Sequence, residues 1–245
     1  MGGSRSLGST VPDERRLRTT LEAMAHSRVG DGCAIASGSL ETFAGAALFP
    51  DETLMIAGAR PRRLATFRGG RACAREALRE LGMEAGAIVA DASGAPIWPA
   101  GFVGSISHTD EFAAAVVARS PPIRGIGIDV ERDGPLDDAA MVRIICRPEE
   151  LHAAHDPSHP ANLERGKLLF VAKEAVYKAY RACQDTFLDF QDVCVSLDES
   201  TGTFCATLVN RQVHGVVEHP SVRGNFARAE GLFIAIASHT QAEST

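Results

Sequence analysis

The chain has 245 residues, an apolar content of 45% and a formal net charge of −6. These values are typical of a folded globular protein with one large or two small domains, and they exclude a disordered or collagen-like chain. No apolar run approaches the ~20 residues of a membrane span, and the acidic balance argues against a dedicated nucleic-acid binder.

The N-terminus and the cysteines indicate the compartment in which the protein is found. Residues 1–10 are rich in glycine and serine and lack the apolar segment of a secretory signal, so we predict that they are disordered. The six cysteines form no CxxC pair, which disfavours a zinc ribbon or a disulfide scaffold. Free thiols fit a reducing compartment. We therefore predict a cytoplasmic protein with no membrane or nucleic-acid partner.

The first half of the chain predicts helices followed by strands. A long helix is clearest over 61–81, where apolar residues recur at helical spacing and Gly82 ends the pattern. Gly69 and Gly70 inside this helix indicate a close approach by a ligand or by another segment. The other predicted elements of this half are a polar helix at 11–27, a helical turn at 51–57, and strands at 33–36, 103–107 and 112–118.

The second half follows a linker at 120–123, which contains Pro121 and Pro122. Its predicted elements are a strand at 124–131, helical segments at 137–146 and 148–154, a second long helix at 163–183, and strands at 193–197, 203–209, 225–229 and 232–237. We therefore predict an α+β fold with an N-terminal half at 11–119 and a C-terminal half at 124–240.

The distribution of lysine singles out the second long helix. Only three of the 25 basic residues are lysines, and Lys167, Lys173 and Lys178 all lie within this helix. Glu174 and Lys178 are at i and i+4, so they share a helix face. One interpretation is an exposed ion pair; the other is a phosphate site, because lysine presents a compact charge suited to phosphate. Lys167 is expected at the surface.

A pair of carboxylates lies on the strand predicted at 124–131. Because side chains alternate along a strand, Asp129 and Glu131 point to the same face, about 7 Å apart. Two such carboxylates can bind one Mg²⁺ if the strand end bends, since this ion prefers oxygen ligands and keeps water or substrate phosphate in its other positions. A solvated strand end is the alternative, since the Asp-x-Glu pattern alone is common.

Two further segments offer groups that bind anions. The segment 101–108 is polar and glycine-containing, and its hydroxyls, its backbone N–H groups and the imidazole of His108 are suited to an anion. The window from Arg60 to Arg79 holds seven arginines and one glutamate, which favours a phosphate-rich ligand. A solvated helix face is the alternative for this window, and we favour it for Arg75 and Arg79.

Together and in this order, these segments resemble the 4′-phosphopantetheinyl transferases of the Sfp and enterobactin-synthase type. The matching motifs are Trp98-Pro99…Gly104-Ser-Ile-Ser-His108, Gly127-Ile-Asp-Val-Glu131 and Lys173-Glu-Ala-Val-Tyr-Lys178. The arginine-rich stretch at 62–75 is also similar to the family. The resemblance spans about residues 60–180, and it is specific because the motifs occur in combination.

The resemblance implies a fold of two similar α+β halves related by pseudo-twofold symmetry, with the coenzyme A site at their junction. The implied activity is transfer of 4′-phosphopantetheine from coenzyme A to a serine of an acyl or peptidyl carrier protein. Such carriers serve fatty-acid, polyketide, nonribosomal-peptide and siderophore pathways. The other product is adenosine 3′,5′-bisphosphate, the implied cofactor is Mg²⁺ or Mn²⁺, and the implied state is a monomer.

The resemblance also implies roles for individual residues. The expected metal ligands are Asp129, Glu131 and Glu174, and the expected catalytic residues are Glu174, Asp129 and Lys173. Glu174 would activate the carrier serine, directly or through a water. The expected contacts to coenzyme A are made by Arg63, Arg71, Ser107, His108, Lys173 and Lys178.

Two other functions fit parts of the pattern. A Mg²⁺-dependent nucleotide phosphohydrolase would use the same carboxylates and lysines, and it would cleave coenzyme A without a carrier. A non-catalytic module that binds coenzyme A or carriers would not need Glu174. The combination of motifs favours the transferase over both.

Overall fold

The computed structural model describes residues 13–152, 156–181, 188–209 and 222–240. The disorder predicted for residues 1–10 lies outside these ranges, as do the predicted start of the first helix and the predicted ends of the segments 148–154 and 163–183. The described helices are α1 (Glu14–Val29), α2 (Pro50–Met55), α3 (Pro61–Glu80), α4 (Ala139–Ile145) and α5 (Pro160–Arg181). The described strands are β1 (Cys33–Ser39), β2 (Phe102–His108), β3 (Phe112–Arg119), β4 (Ile123–Arg132), β5 (Val193–Asp198), β6 (Thr203–Leu208), β7 (Val222–Ala229) and β8 (Leu232–Thr240).

The predicted order of helices and strands is confirmed, with one exception. The segment 148–154 forms only a 3₁₀ turn at Pro148–Glu150, and the chain is extended at Leu151. The buried Glu150 carboxylate accepts the N–H groups of Arg147 and Val195, so the chain turns inward instead of continuing a surface helix. No helix within the described ranges is long and apolar enough to cross a membrane.

The strands form two antiparallel sheets, with the orders β1-β3-β2 and β4-β8-β7-β6-β5. In both sheets the first strand of its half of the chain pairs with the last strand, which pairs in turn with the strand before it. The long helix of each half, α3 or α5, packs against the sheet of that half. This arrangement agrees with the predicted mixture of helices and antiparallel strands.

The alternation of strand side chains divides the core into layers. On β3, Val116 belongs to the core shared with α1 and the second sheet, whereas Val117 packs in the core under α3. On β8, Ile236 faces that shared core, whereas Ala237 packs in the core under α5. The two sheets and α1 therefore enclose a central core, and α3 and α5 cover the outer faces.

Each half contains a buried glutamate paired with a cation of its long helix. Glu52 accepts a hydrogen bond from Arg75 at 2.7 Å, and Glu150 accepts one from Lys173 at 2.7 Å. The partners are 23 residues apart in both pairs. Removing one member of a buried pair costs about 3–5 kcal/mol, because the other charge is left without compensation. Each pair therefore ties a long helix to the segment that precedes it.

Helix α5 approaches β4 most tightly at Gly127. A Cβ atom at this position would lie 1.9 Å from the carbonyl oxygen of Ala175, so only glycine allows the contact. The same strand carries Asp129 two residues later, and α5 carries Glu174 and Lys178 on either side of the contact. The glycine of this motif therefore brings the motif carboxylates of strand and helix together.

We predict that Gly127→Ala destabilises the protein by at least about 3 kcal/mol, at the upper end of the cost of overpacking, because a backbone atom cannot move aside. Thermal unfolding would measure the loss. Gly86→Ala is the matched control, since a Cβ there meets nothing within 4 Å. Equal melting temperatures for the two variants would contradict the tight contact.

Candidate active site

Asp129 lies where β2, β4 and α5 meet, and its residue is only 5% exposed. Its Oδ1 atom accepts hydrogen bonds from Ser107 Oγ at 3.0 Å and from Lys178 Nζ at 2.6 Å. Its Oδ2 atom is buried and has no hydrogen-bond partner. Because burying an oxygen without a partner is costly, Oδ2 is suited to a cation or to a further donor.

Ser107 and Lys178 attach the two halves of the chain to this carboxylate. The Ser107 hydroxyl, on β2, donates to Asp129 and accepts the N–H of Val130 at 3.1 Å. Lys178, on α5, also donates to the carbonyl oxygen of Ile128 at 3.1 Å. Strand β4 is thus held between an N-terminal strand and a C-terminal helix at the position of Asp129.

Glu174 lies one helical turn before Lys178 and is half-buried. Burial raises the pKa of Glu174, and the carboxylates of Asp129 and Glu131 raise it further, against the opposing charge of Lys178. The three carboxylates that the motifs predicted therefore act on one another electrostatically. Within the described residues, however, no three His, Cys, Asp or Glu side chains form a ready metal-binding group.

Glu131 is held by Lys167, whose Nζ lies 2.9 Å from Glu131 Oε2. Lys167, which was expected at the surface, is half-buried, and its ammonium also lies over the ring of Phe170 at 5.4 Å. Lysines 167 and 178 thus place one cation beside each of the two strand carboxylates. Helix α5 therefore supplies the positive charges that pair with both carboxylates of β4.

Lys173 does not reach the cluster of charged side chains formed by Asp129, Glu131, Glu174 and Lys178. Its residue is 2% exposed, and its ammonium donates to Glu150, to the carbonyl oxygen of Ile145 at 2.8 Å and to that of Phe190 at 2.9 Å. An ammonium has three N–H donors, and these three acceptors use all of them. The expected contact of Lys173 with a coenzyme A phosphate therefore has no support in this geometry.

His108 and Arg63 approach the cluster from the N-terminal half. His108, at the end of β2, is exposed. Packing around its inner side lowers the pKa of His108, and the charges of Arg63 and Lys178 lower it further. The surroundings therefore favour the neutral imidazole, which can donate one hydrogen bond and accept another.

Arg71, a predicted contact to coenzyme A, is buried, with an exposure of 6%. Its Nε donates to the carbonyl oxygen of Ile88 at 2.6 Å, and its guanidinium lies 4.4 Å from the centre of the Phe67 ring. Burial lowers the pKa of Arg71 to about 10, so the group stays charged at pH 7. Arg63 lies over the same ring at 5.9 Å and is exposed.

Two cavities border the cluster. The larger, of about 670 Å³, lies between β2, the turn at 91–98 and α5; it is lined by Asp91, Ser93, Gly94, Ala95, Pro96, Trp98, Phe102, Val103, Gly104, Ser105, Ile106, Tyr177, Lys178 and Arg181. The smaller, of about 270 Å³, is lined by Ile144, Lys173, Glu174, Tyr177, Leu188, Asp189, Phe190 and Val193. Tyr177 separates them, with Lys178 on one side and Glu174 on the other.

Sequence reasoning missed three residues of the larger cavity. Trp98 stands in one of the family motifs but was given no role in the site; its ring lies so close over Gly104 that a Cβ there would meet it at 2.7 Å, and it lines the cavity. Tyr177 and Arg181 follow Glu174 and Lys178 at helical i+3 spacing, which is the signal that could have found them.

We predict that Glu174→Gln stabilises the metal-free protein at pH 7–8. A carboxyl whose pKa is raised by folding favours the folded state below its unfolded pKa, and this contribution is lost as the pH rises through the folded pKa. The gain in melting temperature, measured with EDTA present, should therefore vanish near pH 4. Glu164→Gln, an exposed change on the same helix, is the control; an unchanged or lower melting temperature for Glu174→Gln would refute the effect.

Comparison with known proteins gives matches to both halves of the chain. The model of the 4′-phosphopantetheinyl transferase N-terminal domain matches residues 51–118, and that of the 4′-phosphopantetheinyl transferase superfamily matches residues 125–230. The transferase Svp of Streptomyces mobaraensis is 37% identical over 188 residues, 76% of each chain. The transferase Npt of Nocardia iowensis is 38% identical over 167 residues, 65% of this chain and 74% of the relative.

A more distant relative points the same way. Enterobactin synthase component D of Escherichia coli (strain K12) is 36% identical over 132 residues, 53% of this chain and 61% of the relative. The matches cover both sides of the cluster around Asp129. The chain therefore belongs to the 4′-phosphopantetheinyl transferases, enzymes that transfer phosphopantetheine from coenzyme A to carrier proteins.

Proposed function

We propose that the enzyme binds coenzyme A across the junction of its two halves, with the pyrophosphate beside Asp129. The observation that carries this proposal is the buried Oδ2 of Asp129, which lacks a partner although Lys178 and Ser107 saturate Oδ1. A buried carboxylate oxygen without a donor is suited to a site in which a bound metal and a phosphate supply the missing partners. The cavity of about 670 Å³ next to Lys178 would receive the pantetheine chain.

The carboxylates fit Mg²⁺ as the metal of this site. Mg²⁺ usually takes one or two protein carboxylates and completes its shell with water and phosphate oxygens, so three assembled protein ligands are not required. Asp129 and Glu174 would hold it, with Glu131 as a ligand directly or through a water because Lys167 already engages Glu131. When bound, the metal would neutralise charge on the pyrophosphate.

Glu174 would be the proton acceptor. In the reaction the serine oxygen of the carrier forms a bond to the phosphorus of phosphopantetheine, and the bond from that phosphorus to adenosine 3′,5′-bisphosphate breaks. A serine hydroxyl needs its proton removed to react, and a carboxylate with a raised pKa is a better base than an ordinary one. Glu174 would take that proton, directly or through a water.

The phosphates would be contacted by the cations that surround the carboxylates. Lys178 lies at the centre, and His108 and Arg63 reach the same region from the N-terminal half. Arg71 would act from behind them, because its own Nε is already bonded inside the protein. Such fixed positive groups stabilise the charge that develops on the leaving bisphosphate.

The smaller cavity would receive the carrier protein. It has Glu174 on its wall, and the exposed side chains of Met141 and Ile144 stand on α4, with Ile144 lining the cavity itself. A serine presented here would reach Glu174 from the side opposite the larger cavity. Exposed apolar side chains beside a site commonly mark contacts with a protein partner.

We further propose that the halves are related by a pseudo-twofold axis and that the enzyme is a cytoplasmic monomer. The matching strand orders and the two buried glutamate–cation pairs support the internal relation. A monomer is supported because one chain supplies both sides of the cluster. The domain limits at 11–119 and 124–240 stay predictions.

The transfer itself is tested by incubating the enzyme with coenzyme A, Mg²⁺ and apo carrier proteins and weighing the carrier by mass spectrometry. We expect a phosphopantetheine adduct, and for Asp129→Asn a loss of at least about 100-fold in rate. Asp137→Asn, the same change at an exposed position, is the control. Cleavage of coenzyme A without a carrier would favour a phosphohydrolase instead.

The carrier surface is tested by Ile144→Glu. We expect kcat/KM for the carrier to fall about tenfold, because a buried charge would replace an apolar contact, while KM for coenzyme A stays unchanged. Leu54→Glu places the same charge on α2, at a side chain that is 75% exposed, and serves as control. Equal kinetics for the two variants would remove α4 from the proposed carrier surface.

A further inference from the structure

Lys173 occupies the first position of the Lys-Glu-Ala motif, yet its ammonium faces away from the carboxylates of the site. Its three acceptors come from three separate segments: Glu150 from the 3₁₀ turn, the carbonyl oxygen of Ile145 from the end of α4, and that of Phe190 from the turn before β5. One buried atom thus ties α5 to all three.

Glu150 completes this junction. Besides Lys173, its carboxylate accepts the N–H of Arg147 at 2.7 Å and the N–H of Val195 at 2.6 Å. The carboxylate and the ammonium are each 1% exposed. Charges so deeply buried must stay together, so the rotation and the axial position of α5 are fixed at Lys173.

The N-terminal half contains a matched pair without a catalytic neighbour. Glu52 accepts from Arg75 and from the N–H groups of Phe49 and Ile88, and it is fully buried. The residue that follows Arg75 is Glu76, whose Oε1 lies 3.7 Å from a guanidinium nitrogen of Arg18 in α1. The residue that follows Lys173 is Glu174, the carboxylate beside Asp129.

We infer that the Lys173–Glu150 pair positions α5 for the reaction. Consecutive helical residues are about 100° apart around the axis, so fixing Lys173 toward the interior fixes Glu174 toward β4 and Lys178 on Asp129. Lys173 is then a positioning residue and not a phosphate ligand. This inference rests on the proposed role of Glu174 as proton acceptor.

The test compares two double variants, Glu150→Gln/Lys173→Met and Glu52→Gln/Arg75→Met. Both remove a buried pair of opposite charges, so we expect similar losses of melting temperature. Only the first should lower kcat, by at least about tenfold, because small displacements of a catalytic group are costly. The second should keep kcat within about twofold, with any effect limited to KM for coenzyme A through neighbouring Arg71.

Equal losses of kcat in the two double variants, or an unchanged kcat in the first, would overturn the inference. If the first variant does not fold, Lys173→Arg is used instead, because it introduces the cation that the N-terminal pair uses. This variant should have a lower kcat at a temperature at which its melting curve shows it to be fully folded. A kcat equal to that of the unaltered enzyme would then count against positioning.

A double-mutant cycle separates positioning from general stability. In a Glu174→Gln background the Glu150→Gln/Lys173→Met change should cost little further rate, since it acts through Glu174. If the change lowers kcat as much in the Glu174→Gln background as in the unaltered enzyme, the pair does not act through Glu174. A normal kcat for Glu174→Gln alone would refute the proposed role of Glu174, whereas the comparison of the two double variants would still decide whether the pair positions α5.

Discussion

The contact between Asp129 Oδ1 and Lys178 Nζ, at 2.6 Å, joins the strand and the helix that form the site. It exists because Gly127 lets the backbone of α5 lie directly on β4. Ser107 adds the N-terminal half to the same carboxylate. Three motifs that are far apart in the sequence therefore meet at one buried aspartate: one motif supplies the aspartate, and each of the other two donates a hydrogen bond to it.

The charges around this contact are balanced incompletely. Three carboxylates influence one another, and Lys178 and Lys167 compensate two of them, while Glu174 has a raised pKa and Asp129 Oδ2 lacks a donor. Such an arrangement costs stability in the free protein. Its cost is understandable when a cation and a phosphate group complete the site on substrate binding, because these supply the charges that are lacking.

Much of the fold and of the site could be predicted from the sequence. The two long helices and the strand order along the chain followed from periodicity, whereas the convergence of Asp129, Glu174 and Lys178 was implied by the resemblance to a known family. The orientation of Lys173 did not, because adjacent residues on a helix point in different directions and the sequence does not say which direction is inward. Likewise, Lys167 was expected at the surface and Arg75 on a solvated helix face, but the structure pairs them with Glu131 and with the buried Glu52.

The central claim is that Asp129 couples the metal to coenzyme A, and a binding measurement tests it without catalysis. Calorimetric titration of coenzyme A, with and without Mg²⁺, would compare the unaltered enzyme with Asp129→Asn. We predict that Mg²⁺ tightens binding of coenzyme A to the unaltered enzyme and that this gain in affinity is lost in the variant. An equal gain from Mg²⁺ in both proteins would contradict it.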